Sequence, residues 1–109
     1  MSRHPQVRVR SPLPGPARIS VDEEMAPLLA EVWRLGLLTW ASCQDWGDGT
    51  AQIVFVFAED AHRFAWLGVG EETPAGWRFK ESPNPWGRPE PMCAVWFPRE
   101  LLAKVRRSA

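Results

Sequence analysis

The sequence predicts an α+β domain: an antiparallel sheet of about five strands with two to three short helices, in the order β-α-β-β-α-β-β-α. Three observations carry this. Met25, Leu28, Leu29, Val32 and Trp33 fall at i, i+3, i+4, i+7 and i+8, the apolar stripe of an amphipathic helix. Gln52-Ile53-Val54-Phe55-Val56-Phe57 is a run of β-branched and aromatic residues, apolar on nearly both faces, as a central strand requires. Glycine and proline clusters then cut the rest of the 109 residues into short pieces.

Taken in order, residues 1–17 hold Pro5, Pro12, Pro14 and Pro16. Proline removes backbone donors and favours extended chain, so this segment reads as an arm preceding a single domain over 18–109. Arg18-Ile19-Ser20-Val21 reads as a short strand. Asp22-Glu23-Glu24 follows, with acids suited to the positive end of a helix, and Ser20-x-x-Glu23 fits a capping box. Pro27 belongs in the first turn of that helix, and Gly36 stops it.

Residues 37–43 read as a strand. Asp45-Trp46-Gly47-Asp48-Gly49 is turn chemistry, so residues 37–43 and 52–57 form a hairpin. A second helix begins at Ala58-Glu59-Asp60, with Ala61, Phe64, Ala65 and Gly68 as its buried face and Gly68 and Gly70 as its end. Trp77-Arg78-Phe79-Lys80 alternates apolar and charged residues, so one face of that strand meets water. The proline-rich stretch 82–91 is a loop, 92–97 is a further strand, and Pro98 opens a last helix with Leu101, Leu102 and Val105. The first six elements match the ferredoxin-like β-α-β-β-α-β pattern.

Composition is that of a globular domain: 45% hydrophobic and 24% charged. No apolar run reaches the ~20 residues that cross a bilayer, and the basic start has no apolar segment behind it, so a cytoplasmic protein without a secretory signal is expected. In that compartment Cys43 and Cys93 are expected to be free thiols. Net charge is zero but unevenly spread. Residues 1–18 carry Arg3, Arg8, Arg10 and Arg18 and no acid, whereas the body, 19–98, has five basic and twelve acidic residues. Basic ends on an acidic body either fold back on it or reach a polyanion.

Several constellations bear chemistry. Cys43 ends a strand beside a glycine-rich turn. With His62 as base and Asp45 as orienter it would make a nucleophilic trio, although nothing in the spacing requires it. No zinc-type spacing is present, so no metal site is expected, and Gly68-Val69-Gly70-Glu71-Glu72 lacks the lysine of a phosphate loop, so no cofactor is expected. The chain is tryptophan-rich, with seven Trp and no Tyr. Trp46 and Trp86 fall in turns, where an indole either folds down as a lid or anchors an interface. If both project from the same end of the sheet, they frame a groove with Gln44, Asp45, Asp48, Arg78 and Arg88.

Val21-Asp22-Glu23-Glu24-Met25-Ala26-Pro27-Leu28-Leu29, with Trp33, Gly36, Thr39, Ser42-Cys43-Gln44-Asp45 and Ala58-Glu59-Asp60-Ala61, resembles a group of small uncharacterised proteins of actinobacteria and their phages. The Val95-Trp96-Phe97-Pro98 ending is similar too. The resemblance covers residues 19–67 and 92–107 and implies no established activity. It suggests a phage or mobile-element role, such as blocking a host factor. Thr39-x-x-Ser42-Cys43 also resembles the Ser-Ser-Cys-Ser-Gly signature of the wybutosine-synthesis methyltransferases, with Gln44-Asp45 in place of Ser-Gly.

The leading expectation is a non-enzymatic binding module for a protein partner or small ligand, using turn 43–50 and loop 82–91. The first alternative is a small enzyme with Cys43 as reactive thiol. The second is nucleic-acid binding through the basic arm and tail, against which the acidic body argues. An exposed edge at 77–80 would also let two copies pair as a homodimer, although Arg78 and Lys80 are the usual guards against that.

Overall fold

The computed structural model describes residues 5–10, 18–71 and 74–103. The fold is α+β with two antiparallel sheets. β1 (Gln6–Arg10) and β2 (Arg18–Asp22) form a two-stranded sheet. A 3-10 turn (Glu23–Met25) leads into α1 (Ala26–Arg34). β3 (Thr39–Cys43), β4 (Thr50–Phe55), β5 (Arg78–Ser82) and β6 (Met92–Pro98) form a four-stranded sheet in the order β3-β4-β6-β5. α2 (Ala58–Val69) connects β4 to β5. A further helical turn begins at Glu100, and its described part ends at Ala103.

Two features differ from the expected single five-stranded sheet. The segment 18–22, which a ferredoxin-like core would place in the main sheet, instead pairs with β1. That strand lies inside the proline-rich arm. Its Val7-Arg8-Val9-Arg10 alternation sets Val7 opposite Val21 and Val9 opposite Ile19, and Val7 and Val9 pack on the core. The other arm residues, 1–4 and 11–17, and Val105 of the last helix lie outside the described residues. Ser20 does not form a capping box, because it is a β2 residue opposite Arg8 and the helical turn has no side-chain cap.

The core lies between the main sheet and the helical layer. Ala51, Ile53 and Phe55 of β4 and Cys93, Val95 and Phe97 of β6 point to one face by strict alternation, and all six are fully buried. They meet Met25, Leu28, Leu29 and Val32 from the first helical segment and Ala58, Ala61 and Phe64 from α2. Phe64 lies 5.3 Å from Phe55, 5.4 Å from Phe97 and 5.6 Å from Trp77 between ring centroids, an aromatic cluster at the centre. Ala61 and Ala65 let α2 approach closely, whereas Gly68, expected on the same face, is exposed. Gly36 (φ +83°) follows α1 and Gly70 (φ +78°) ends α2, left-handed conformations that glycine adopts without a Cβ clash.

The hairpin layer is fastened to the sheet by one polar cluster. Asp22, buried at the end of β2, accepts from the Gln44 backbone N–H (3.0 Å) and from Gln6 Nε2 (3.2 Å). Gln44 Oε1 accepts the Glu24 N–H (3.0 Å), and the Gln44 carbonyl accepts from Arg99 Nε (2.8 Å). Arg99 also reaches the Glu24 carboxylate at 3.1 Å and Asp45 at 3.6 Å. At the other end of β3, Asp60 accepts the Leu38 N–H, while burial pushes its carboxyl above the usual carboxylate range. No helix of the described residues is long and apolar enough to cross a membrane.

Candidate functional site

Alternation puts a second set of side chains on the face of the sheet away from the helices. The register sets Lys80, Ala94, Val54 and Ala41 side by side across the four strands. The next row is Arg78, Trp96, Gln52 and Cys43. A bulge between Thr39 and Ala41 sets two β3 residues, Trp40 and Ala41, against Val54. Thr39 is buried on the helical side, where its hydroxyl accepts the Trp33 indole N–H at 2.9 Å, so Trp40 is turned to the open face.

Indoles wall this face at both ends. The turn between β3 and β4 curls over it, and Trp46 meets Trp96 edge to face with ring centroids 5.6 Å apart. Arg78 lies over the Trp96 ring at 5.2 Å and reaches Asp48 at 3.0 Å. Asp48 is held below the usual carboxylate range by the Thr50 hydroxyl and then by Arg78. At the far end Trp86 meets Trp40 edge to face at 4.6 Å. Its loop is anchored by Asn84, which is buried, donates to the Val56 carbonyl at 3.0 Å and accepts the Trp86 N–H at 3.0 Å.

The result is a trough that crosses the strands. Its floor is Ala94, Val54 and Ala41, and Lys80 stands at one mouth. Four strands make it about 14 Å long, and the four steps along β6 from Met92 to Trp96 make it about 13 Å from wall to wall before side chains are counted. Trp40, Trp46 and Trp86 are 53%, 50% and 48% exposed.

This geometry corrects the expected groove. Trp46 and Trp86 do not share one end of the sheet. Thr50 pairs with Pro98 at the Trp46 end, whereas Phe55 pairs with Cys93 at the Trp86 end. Asp45, Asp48 and Arg78 belong to the first end, and Arg88, 5.8 Å from the Phe57 ring, to the second. Gln44 does not face the trough; it is buried, and its side-chain oxygen and both backbone groups are bonded within the protein. Sequence reasoning passed over Trp40 and Trp96 as strand residues. The signal for Trp96 was present, since a residue between the core-facing Val95 and Phe97 must face the other way.

The thiol trio does not form. Cys43 is on the open face of edge strand β3, and its thiol donates to the Asp45 carbonyl at 3.2 Å. His62 is on α2 and stacks on Phe79 of β5, the opposite edge, at 5.2 Å. The sheet and three strand spacings, about 14 Å, separate the sulfur from the imidazole. Cys93 is buried in the core, and burial pushes its thiol above the usual range. The two cysteines are free thiols on opposite faces. A maleimide added to the native protein is expected to modify Cys43 alone, with Cys93 reacting only after denaturation. Equal modification of both, read by mass spectrometry of peptides, would contradict the burial. Among the described residues no group of three His, Cys, Asp or Glu side chains converges to hold a metal ion.

Comparison with known proteins finds no matching family model, no match among curated proteins and no match among solved structures.

Proposed function

We propose that this chain is a binding module and that the trough on the open sheet face is its working surface. The observation that carries this is the paired indoles. Three of four large apolar rings stand about half in water at the rims of an apolar floor, although the core on the other face is complete without them. Folding gains little from leaving such area exposed, whereas a partner that covers it gains much, because Trp buries a large surface while losing few rotamers. Each edge-to-face contact already restrains its ring, so less entropy is lost on binding.

The test compares affinity capture from an extract of the producing cells by wild-type chain and by Trp40→Ala, Trp86→Ala and Trp66→Ala variants. Trp66 is exposed on α2, away from the trough. Species held by wild type and Trp66→Ala are expected to be lost from Trp40→Ala and Trp86→Ala, with melting temperatures within a few degrees of one another. Unchanged capture by the trough variants, or collapse of their folding, would overturn the reading.

A further inference from the structure

We infer that the Trp40–Trp86 corner, at the far wall of the trough, binds a quaternary ammonium group, a conclusion that names a ligand class for the binding role proposed above and rests on it. The two indoles meet edge to face, 4.6 Å apart with 81° between their planes, and each is about half exposed. Two aromatic faces set at a right angle make a corner in which the negative faces of both rings meet one guest. Such a surface attracts a cation, and Trp does so more strongly than Tyr or Phe.

The opposite wall shows this preference within the molecule. Trp46 and Trp96 repeat the arrangement at 5.6 Å and 76°, and there the Arg78 guanidinium lies 5.2 Å from the Trp96 centroid. The fold supplies that cation and holds it with Asp48 at 3.0 Å. Among the described residues no side chain does the same at the far corner. The cation–π contacts are Arg78 on Trp96 and Arg88 on Phe57, and neither Trp40 nor Trp86 takes part. Lys80 stands on β5, three strand spacings or about 14 Å from β3. Arg88, two residues beyond Trp86, is laid over Phe57 at 5.8 Å.

Charge favours a cation from outside. Residues 19–98 carry twelve acids and five bases, a balance that draws in a cation and repels a phosphate or carboxylate. Hydrogen bonding narrows the class further. Every N–H of a guanidinium or a simple ammonium loses water on entering and needs an acceptor, as Arg78 has in Asp48. No ion pair of the described residues lies at the far corner. Asn84, in the Trp86 loop, is engaged by the Val56 carbonyl and the Trp86 N–H. A quaternary ammonium has no N–H and presents methyl groups to the indole faces. A lipid headgroup would bring its phosphate against the acidic body. The sources that fit are therefore a free trimethylammonium compound or a trimethylated lysine side chain.

The experiment titrates the full, isotopically labelled chain with choline chloride and with its neutral carbon isostere, 3,3-dimethylbutan-1-ol, at matched ionic strength. The seven indole N–H resonances are followed by two-dimensional NMR. Choline is expected to shift Trp40 and Trp86 saturably, with a Kd on the order of millimolar, and the isostere to bind about fivefold or more weakly. Trp66, as exposed as Trp40 but with no aromatic partner among the described residues, is expected to stay in place. Trp40→Ala and Trp86→Ala should each weaken choline about fivefold or more, whereas Trp66→Ala leaves it unchanged. Phosphocholine is expected to bind more weakly than choline, and comparison of choline with a trimethyllysine peptide separates the two sources. Equal binding of choline and its isostere, equal movement of Trp66, or no saturation by about 50 mM choline would each overturn the inference, and all three are read on the unsubstituted chain. If choline fails while Trp40-dependent capture persists, the choice of ligand falls and the binding role stands.

Discussion

Phe97→Ala is expected to lower the stability of this domain by about 3–5 kcal/mol, the cost of truncating a fully buried phenylalanine. Phe97 has no exposed surface and lies against Phe64 and, at 5.5 Å, Trp77. Truncation removes the ring's transfer energy and leaves a cavity that the β4 and β6 backbones, locked in register, cannot close. A domain of this size holds about 5–15 kcal/mol in all, so the variant is expected to melt far below wild type or to be unfolded at 37 °C. Chemical denaturation monitored by circular dichroism measures it. A loss under about 1 kcal/mol would mean that the aromatic cluster is not the centre of the fold. Phe97→Leu, which keeps most of the volume, should lose much less.

Asp22→Ala is expected to cost about 2 kcal/mol, from a different cause. Asp22 is buried and accepts two hydrogen bonds that join β2 to β1 and to the β3–β4 turn. Its removal leaves the Gln44 N–H without its acceptor, and an unsatisfied buried donor costs about 1–3 kcal/mol. For a domain near this size the melting temperature should fall by about 10 °C. Asp22→Asn keeps an acceptor at the same place and should recover most of the loss. If Asn proves as damaging as Ala, the carboxylate's charge matters rather than its geometry. Amide exchange adds a second readout, since Gln44 and Glu24 should lose protection together in Asp22→Ala, while β4 and β6 amides change only with global stability.

The same cluster explains a motif that reads as chemistry in the sequence. Ser42-Cys43-Gln44-Asp45 has the look of a reactive segment, a thiol beside polar residues at a strand end. In the fold Gln44 and Asp45 are fastenings: Gln44 bonds β2 and Arg99, and Asp45 faces Arg99 and accepts the Gly47 N–H at 2.9 Å. Spacing along the chain could not reveal this. Gln44 and Arg99 are 55 residues apart, and only the pairing of Thr50 with Pro98 brings the end of β6 to the β3–β4 turn.

What the sequence determined by itself is whatever has a short period. The stripe from Met25 to Trp33, the run through Phe55, the alternation at Val95-Trp96-Phe97 and the stops at Gly36 and Gly70 each depend on neighbours a few residues away, and these elements stand where they were expected. The Val7-Val9 alternation was equally local, but it was masked by the prolines around it. Tertiary structure alone decided three things. It moved 18–22 out of the main sheet into a pair with β1, put Cys43 and His62 on opposite faces, and set Trp46 and Trp86 at opposite ends while giving each a partner, Trp96 and Trp40, from a different strand. The physical reason is common to all three. Local periodicity tells which way a side chain points from its own strand. Which strand lies beside it, and in what register, is settled by the burial of the whole core, to which every segment contributes.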